Sequence, residues 1–405
     1  MLPCVTNLCQ SEPFVERVVK NLYIDATVDA LNSTGDDGWL SFLHCLLQVD
    51  DTIIFATSRE QMIKKLQCLK QTTDSLDMVM HPIKSKLLAI NAEENEDITI
   101  DNVYIARTES YIYLGTPILN ASAAKHVQEH IQLKSAHVHK FTSFLAKNND
   151  APFQVKEKVM DDAVSSGIFY SCETWLTDNL KSAETPYLAM LKQMLDVRQQ
   201  TPSALVLLEL GKANAASIVR DKQTRFLQKL ERRDDYIGSY IHKTIEMAVN
   251  VQSPMGKVLQ NIGTQNTSHK STFLAKLTDT VKASEATRNK LYCEVNPTLQ
   301  RHSMYDSPKV PEWSRKAFTR VRLSSHRLNV EMGRWTRIPR EDRHCSCSSA
   351  VQTELHVLLY CPLTVHQRQL FPEASRANCL AELFDNSTQI ADLACFCYKV
   401  LEQFS

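Results

Sequence analysis

The sequence lacks the features that mark several large classes of protein. No apolar run approaches the ~20 residues that a membrane-spanning helix needs, so we expect no association with a membrane. The N-terminal residues lack the charged-then-apolar order of a secretory signal, because Glu12, Glu16 and Arg17 interrupt it. There are no internal repeats and no low-complexity tracts. These absences favour an intracellular protein of the cytoplasm or nucleus.

Cysteine is scarce as well. The 12 cysteines among 405 residues are too few for a disulfide scaffold, and reduced thiols are expected inside the cell. Most of them stand singly in apolar segments, where buried thiols are common. Only Cys345, Cys347 and Cys361 fall in a pattern that indicates a metal site.

The chain also lacks a net charge, with 46 basic and 46 acidic residues, but the charges are unevenly distributed. Residues 1–110 carry 9 Lys and Arg against 17 Asp and Glu, whereas residues 301–345 carry 11 against 5. This asymmetry is typical of a protein with a carboxylate site and a separate phosphate-binding surface. Charge alone is equally compatible with two solvated surfaces of opposite sign.

The hydrophobic pattern predicts an α+β fold that is mainly helical. Short β-like runs and one helix occupy the first part of the chain, and helical periodicity dominates afterwards. A stretch rich in Gln, Ser, Asn and Thr, residues 250–272, is interpreted as an exposed linker. The predicted regions are 1–120 with the strands, 121–250 with helices, 251–300 with the linker and a helix, 301–375 with basic residues and a Cys/His cluster, and 376–405 with a C-terminal helix.

Within the first region, the pattern predicts individual elements. Leu46–Ala56 reads as strand, turn and strand, and Arg59–Met78 has apolar residues at helical spacing. Further single strands are predicted at Leu87–Ala92, Ile98–Ile105 and Tyr111–Ile118.

Two adjacent carboxylates, Asp50 and Asp51, interrupt the apolar strand pattern of Leu46–Ala56. Burying an unpaired charge is costly, so the pair must lie in a turn, at the surface or on a cation. At a hairpin tip, one carboxylate can reach a metal while its neighbour supports it. From spacing alone, a solvated Asp-Asp turn is the better interpretation.

Five sequence blocks favour a metal-binding role for the Asp-Asp pair over a solvated turn. Each is weak alone, but together they stand in the order and spacing found in reverse transcriptases of non-LTR retrotransposons, and the chain resembles that family over roughly residues 20–400. The blocks are the Asp-Asp hairpin Gln48–Ala56, the Lys-bearing block His81–Lys86, the Tyr-Leu-Gly block Tyr111–Thr116, the Glu-Thr-Trp block Tyr170–Trp175, and the Gly-Arg-Trp block Gly333–Trp335 with the cysteines after it. Gln48 and His81 depart from the family, which has an aromatic residue and Asn at these positions.

The resemblance implies roles for the matching residues. Asp50 and Asp51 would bind catalytic Mg²⁺ on the palm hairpin, and Lys84 or Lys86 would lie near the nucleotide. The primer end would be held by Tyr113, Leu114 and Gly115. Residues 1–120 would then be a partial palm and 121–250 a thumb or connection, and the partners would be an RNA template and a DNA target or primer.

A complete polymerase needs more than this hairpin. Its two metal ions sit ~3.5–4 Å apart and require a carboxylate from a second strand. In the family that residue lies well upstream, and Asp25 and Asp29 leave no room for the block that should intervene. We therefore expect a C-terminal portion that is catalytically incomplete, unless a partner chain supplies the missing polymerase half.

The late Cys/His cluster has the composition of a structural zinc site. Cys345, Cys347, His356 and Cys361 form a Cys-x-Cys-x₈-His-x₄-Cys pattern, and zinc favours such a Cys₃His set. His344 is an alternative ligand, and two incidental cysteines with a core histidine are the alternative interpretation. The resemblance supports zinc, because these retrotransposon proteins carry a Cys-Cys-His-Cys motif near the C-terminus.

Four arginines precede the cluster and would contact nucleic-acid phosphates. They are Arg334, Arg337, Arg340 and Arg343. Trp335 and Trp313 would either stack on bases or pack in the core. Three functional hypotheses remain: an RNA-directed DNA polymerase, a non-catalytic protein that binds nucleic acid through its helices and zinc module, and a decayed reading frame without a present role.

Overall fold

The computed structural model describes residues 2–7, 27–35, 45–48, 51–92, 96–263, 268–385 and 389–404. The chain forms two compact units, Met1–His130 and Ile131–Ser405. It is 62% helical with 9% strand, which confirms the predicted mainly helical α+β class. None of the helices in these ranges combines the length and apolar content that crossing a membrane requires.

The first unit contains a six-stranded sheet with the order β2-β3-β1-β4-β6-β5. In the antiparallel pair β2–β3 Gln48 pairs with Asp51, which confirms the two predicted strands, while Val49 and Asp50 of the predicted turn lie outside the described residues. Strand β3 also pairs with β1, and β4 runs parallel to β6. The strands are β1 Leu2–Asn7, β2 Cys45–Gln48, β3 Asp51–Ala56, β4 Lys86–Leu88, β5 Ile98–Ile100 and β6 Val103–Thr108.

One helix, α1 Arg59–Ser75, covers this sheet as predicted. It begins where the Ser58 side chain accepts a hydrogen bond from the Gln61 backbone N–H (3.2 Å), an N-cap that satisfies one of the free amides of the first turn. Its apolar face buries Met62, Leu66 and Leu69 against Ile54 and Ile105 of the strands. The helix thereby packs on the strand that follows Asp51 and stabilises its position.

Two of the predicted single strands are hairpins. Ile98–Ile105 divides into β5 and β6, and Tyr111–Ile118 divides into β7 Ser110–Tyr113 and β8 Thr116–Leu119. In the second case the backbone turns at Leu114 (φ 47°) and Gly115 (φ 76°). Two successive residues with positive φ give the tight turn that fits the twist of antiparallel strands. The prediction failed because a leucine seldom adopts this conformation.

The remaining helices begin in the first unit and make up most of the second. They are α2 Ala123–Leu133, α3 Ser135–Lys147, α4 Phe153–Val159, α5 Ser166–Ile168, α6 Lys181–Leu195, α7 Ser203–Leu210, α8 Ala215–Glu231, α9 Tyr236–Asn250, α10 Pro254–Gly263, α11 His269–Lys282, α12 Thr287–Val295, α13 Glu312–Arg322, α14 Asn329–Trp335, α15 Val365–Leu370, α16 Pro372–Arg376, α17 Leu380–Asp385 and α18 Ile390–Glu402. Short 3₁₀ and π turns connect several of them.

The predicted linker at residues 250–272 is wrong for the part that the structure describes. Helix α10 occupies Pro254–Gly263 and packs against α8 and α9. Val258, Leu259 and Ile262 are buried on one face of it. The polar composition hid this short apolar stripe, which contributes to the core of the second unit.

A buried charged cluster lies in that core, and we call it the Glu209 cluster. Glu209 accepts hydrogen bonds from Arg322, Tyr292 and Tyr305 at 2.8–2.9 Å, and its side chain is fully buried. Arg322 also donates to the Val295 carbonyl at 2.7 Å. The cluster joins α7, α12, the 3₁₀ turn Ser303–Asp306 and α13 through satisfied polar contacts.

Candidate metal centre

Two of the cluster cysteines lie on a tight loop that follows the 3₁₀ turn Arg340–Asp342. His344 and Val351 form an isolated antiparallel bridge that closes the loop. Inside it the Cys345 N–H donates to the Ala350 carbonyl, and the Ser348 N–H donates to the Cys345 carbonyl, both at 2.8 Å. Ser348 adopts a positive φ of 59°, which reverses the chain just after Cys347. The backbone alone therefore brings both thiols to one side of the loop.

The other two members come from a helical turn. The π turn His356–Tyr360 carries the histidine, and the Cys361 N–H donates to the His356 carbonyl at 2.7 Å. Pro362 then starts the 3₁₀ turn Pro362–Thr364. Cys361 therefore lies directly after the turn that carries His356. The wider π turn places His356 and Cys361 on the same side although four residues separate them.

The four ligand atoms all lie within 4.8 Å of one another. The Cys345 and Cys361 sulfurs are 3.7 Å apart, and the Cys347 sulfur lies 3.2 Å from Nε2 of His356. A tetrahedral zinc ion with sulfur ligands at ~2.3 Å separates two sulfurs by about 3.8 Å. The donor set and the spacing therefore fit a metal such as zinc.

The surroundings of the site tune and orient its thiols. Hydrogen bonds from Ser349 lower the pKa of Cys347 to about 6, whereas burial raises the pKa of Cys361 to about 12. Nε2 of Gln352 lies 3.9 Å from the Cys345 sulfur as a weak donor. A bound metal ion deprotonates its thiol ligands, so these differences apply to the metal-free chain.

The geometry also decides between the alternatives left open by the sequence. Among the described residues, the four grouped donors are the only set of three or more His, Cys, Asp or Glu residues close enough to hold a metal ion. His344 is not one of them. This residue is exposed, and its backbone carbonyl accepts a hydrogen bond from the Asn329 side chain at 2.8 Å. The convergence of four donors from two separate elements favours a metal site over incidental cysteines.

The four predicted nucleic-acid arginines divide into two pairs. Arg334 bonds to Glu331 (2.8 Å) and Thr287 (2.6 Å), and Arg343 donates to the carbonyls of Val330 and Ile338 at 2.7–2.9 Å. Both side chains therefore make intramolecular hydrogen bonds that stabilise the fold. Arg337 and Arg340 are exposed, so they remain the better candidates for the predicted contact with phosphate.

A glycine makes the Arg343 contacts possible. A Cβ at Gly333 would lie 2.5 Å from Nε of Arg343, closer than real Cβ contacts allow. The Gly-Arg-Trp block thus has a structural reason for its glycine. Of the two tryptophans, Trp335 lies 3.9 Å from the guanidinium of Arg198, and Trp313 packs on Tyr398 at 4.5 Å, while both remain partly exposed.

The predicted polymerase residues lie in the first unit. Asp51 begins β3. Burial raises the pKa of Tyr113, and the negative charge of the Asp51 carboxylate raises it further. Leu114 and Gly115 form the β7–β8 turn, and Leu114 is exposed. The structure therefore places the Tyr-Leu-Gly block within electrostatic range of Asp51. Asp50 lies outside the described residues.

The Lys-bearing block forms a turn before β4. Nδ1 of His81 accepts from the backbone N–H groups of Ile83 and Lys84 at 3.3 Å, which is the capping role that an asparagine side chain plays in such turns. Lys84 is exposed and Lys86 is half-buried at the start of β4. The His81 side chain therefore stabilises this turn.

Comparison of the sequence with models of protein families gives no match, and no curated protein matches it significantly.

Proposed function

We propose that this chain is a nucleic-acid-binding protein of reverse-transcriptase descent, whose C-terminal unit holds zinc and contacts RNA or DNA phosphates through exposed arginines. The observation that carries the proposal is the convergent Cys₃His set directly after a basic segment. Its family assignment is supported by the five ordered sequence blocks.

A chain of contacts links the metal centre to the arginines. Gln352 reaches the Cys345 sulfur with its side chain, and its backbone N–H donates to the Arg343 carbonyl at 2.8 Å. Arg343 in turn fixes the Ile338 carbonyl. Metal binding would thereby order the segment between Arg337 and Arg340. A folded metal site is common in modules that present cations to phosphates.

Fluorescence anisotropy with a labelled single-stranded RNA tests the proposal. The double variant Arg337→Ala with Arg340→Ala should bind more weakly, and Arg376→Ala is a matched control because it is also an exposed arginine of the second unit. Each lost contact with a single strand lowers the dependence of log K on log salt by about 0.7. A double variant with the affinity and salt dependence of the Arg376 control would refute this assignment.

A second candidate is RNA-directed DNA polymerase activity, and one observation favours it. Asp51 stands at the start of β3, and its carboxylate contributes to the raised pKa of Tyr113, which supports a site shared by the hairpin and the Tyr-Leu-Gly block. Chemistry with Mg²⁺ would still need a carboxylate from another strand or from a partner chain. Primer extension on an RNA template with Mg²⁺ tests this candidate. Extension that Asp50→Asn abolishes would support it, and no extension by the wild-type protein would reject it for the chain alone.

A further inference from the structure

A cavity of ≈ 400 Å³ lies in the second unit beside the C-terminal ends of α6 and α13. Its walls include Arg198, Arg320 and Arg327, three guanidinium groups from separate stretches of chain. The volume lies within the range of about 300–1,000 Å³ that small-ligand sites span. No sequence motif pointed to it, because residues far apart in the chain form it.

Arg198 is held rigidly at the cavity wall. Its backbone N–H donates to Oγ of Ser325 at 2.9 Å, its Nη2 donates to the His326 carbonyl, and its guanidinium lies 3.9 Å from the Trp335 ring centre. Its Nη1 atom is buried and has no acceptor among the described residues. A fixed, buried donor of this kind is unfavourable until an acceptor binds to it.

The other two arginines leave an excess of positive charge. Arg320 donates to the Asp196 carboxylate at 2.7 Å and to its carbonyl at 3.1 Å, so this pair is balanced. Arg327 is exposed and has no ion-pair partner among the described residues. The lining His326 side chain faces Glu354 at 2.8 Å instead. Among the described residues that line the cavity, three are arginines and one is an aspartate, so the lining is positively charged.

We infer that this cavity, the Arg198 cavity, binds a phosphate group. Guanidinium groups recognise phosphate by paired hydrogen bonds, and the wall carries the Arg198 guanidinium, whose Nη1 lacks an acceptor, together with the Arg327 charge. The source of the phosphate rests on the proposed function: a nucleic-acid strand would present an internal phosphodiester, whereas a free ligand would present a phosphate monoester. Both sources share the same recognition chemistry.

A spectroscopic probe in the full chain tests the inference without nucleic acid. The protein has four tryptophans, so 5-fluorotryptophan labelling gives a small ¹⁹F spectrum in which Trp335→Phe assigns the reporter beside Arg198. Titration with inorganic phosphate should shift the Trp335 signal saturably, whereas sodium chloride at equal ionic strength should not. Arg327→Gln should weaken phosphate binding about tenfold, the expected loss for one charge-assisted contact.

A control variant and two kinds of competing ligand distinguish the possible sources of the phosphate. Arg232→Gln removes an exposed arginine at the end of α8 and should leave the titration unchanged. A 5′-hydroxyl oligouridylate that moves the Trp335 signal and competes with phosphate would identify the strand phosphodiester as the source; a response to phosphate and a nucleoside monophosphate only would identify a free monoester. Both results support the site. No saturable shift, or equal phosphate affinity in the Arg327 and Arg232 variants, would overturn it, whatever the RNA-binding assay with Arg337 and Arg340 shows.

Discussion

Removing the arginine of the Glu209 cluster should destabilise the second unit strongly at neutral pH. In Arg322→Met the carboxylate of Glu209 stays fully buried but loses two hydrogen bonds of 2.8 and 2.9 Å and its compensating charge. Breaking a buried pair by deleting one partner costs about 3–5 kcal/mol in unfolding free energy. That is a large fraction of the ~5–15 kcal/mol that stabilises a typical protein.

The loss should depend on pH in a defined direction. Burial alone would raise the pKa of Glu209, but the Arg322 charge and the tyrosine hydrogen bonds outweigh it and hold the pKa below its ordinary value. The wild-type contribution to stability is therefore complete above the unfolded pKa of about 4.3 and is lost as the pH falls through the folded pKa. In the variant burial should raise the pKa, so that its stability is greatest below about 4.3 and declines as the pH rises.

Urea unfolding followed by circular dichroism at pH 7 and at pH 4 measures both effects. The gap between wild type and Arg322→Met should be widest at pH 7 and should narrow at pH 4. The double variant Glu209→Leu with Arg322→Met should be more stable at pH 7 than Arg322→Met alone, because it leaves no uncompensated charge. A gap below about 1 kcal/mol at pH 7, or one that does not change with pH, would refute this account of the cluster.

Three smaller perturbations test local features. Asn214→Ala should lower the unfolding free energy by about 1 kcal/mol in urea titrations, since Asn214 caps α8 by accepting from the Ser217 N–H at 3.0 Å; an unchanged midpoint would contradict the cap. Gly211→Ala should cost about 1 kcal/mol by the same measurement, because residue 211 has φ +60° after α7, and a stabilised variant would exclude that reason. Cys361→Ser should reduce zinc stoichiometry, measured by release to a colorimetric chelator, from about one per chain to near zero, while Cys395→Ser should retain it; equal loss or retention in both would exclude the proposed ligand set.

Features that depend on local spacing could be predicted from the sequence. The β2–β3 hairpin followed from two apolar runs around a polar pair, and α1 followed from its periodic face. The members of the metal cluster followed from thiol and imidazole chemistry, although the sequence alone left His344 as an alternative. Excluding His344 required the structure, because the His344–Val351 bridge fixes the loop so that His344 is not among the grouped donors.

Features that depend on distant residues could not be predicted. The Arg198 cavity unites a residue after α6 with Arg327, which no periodicity connects. The intramolecular contacts of Arg334 and Arg343 could not be predicted for the same reason, since their acceptors are brought near them only by the fold. One local signal was available: Glu209 interrupts the apolar run Leu205–Leu210, and a carboxylate there requires a buried partner.

We propose that zinc orders the C-terminal unit and that this unit binds nucleic acid. The RNA-binding isotherm of the purified chain with one zinc per protein, repeated after chelation and after zinc is restored, tests this proposal. We expect chelation to weaken binding and zinc to restore it, whereas Cys347→Ser should bind weakly throughout. RNA binding that is equally strong with and without zinc, or absent in the zinc-loaded protein, would contradict the proposal.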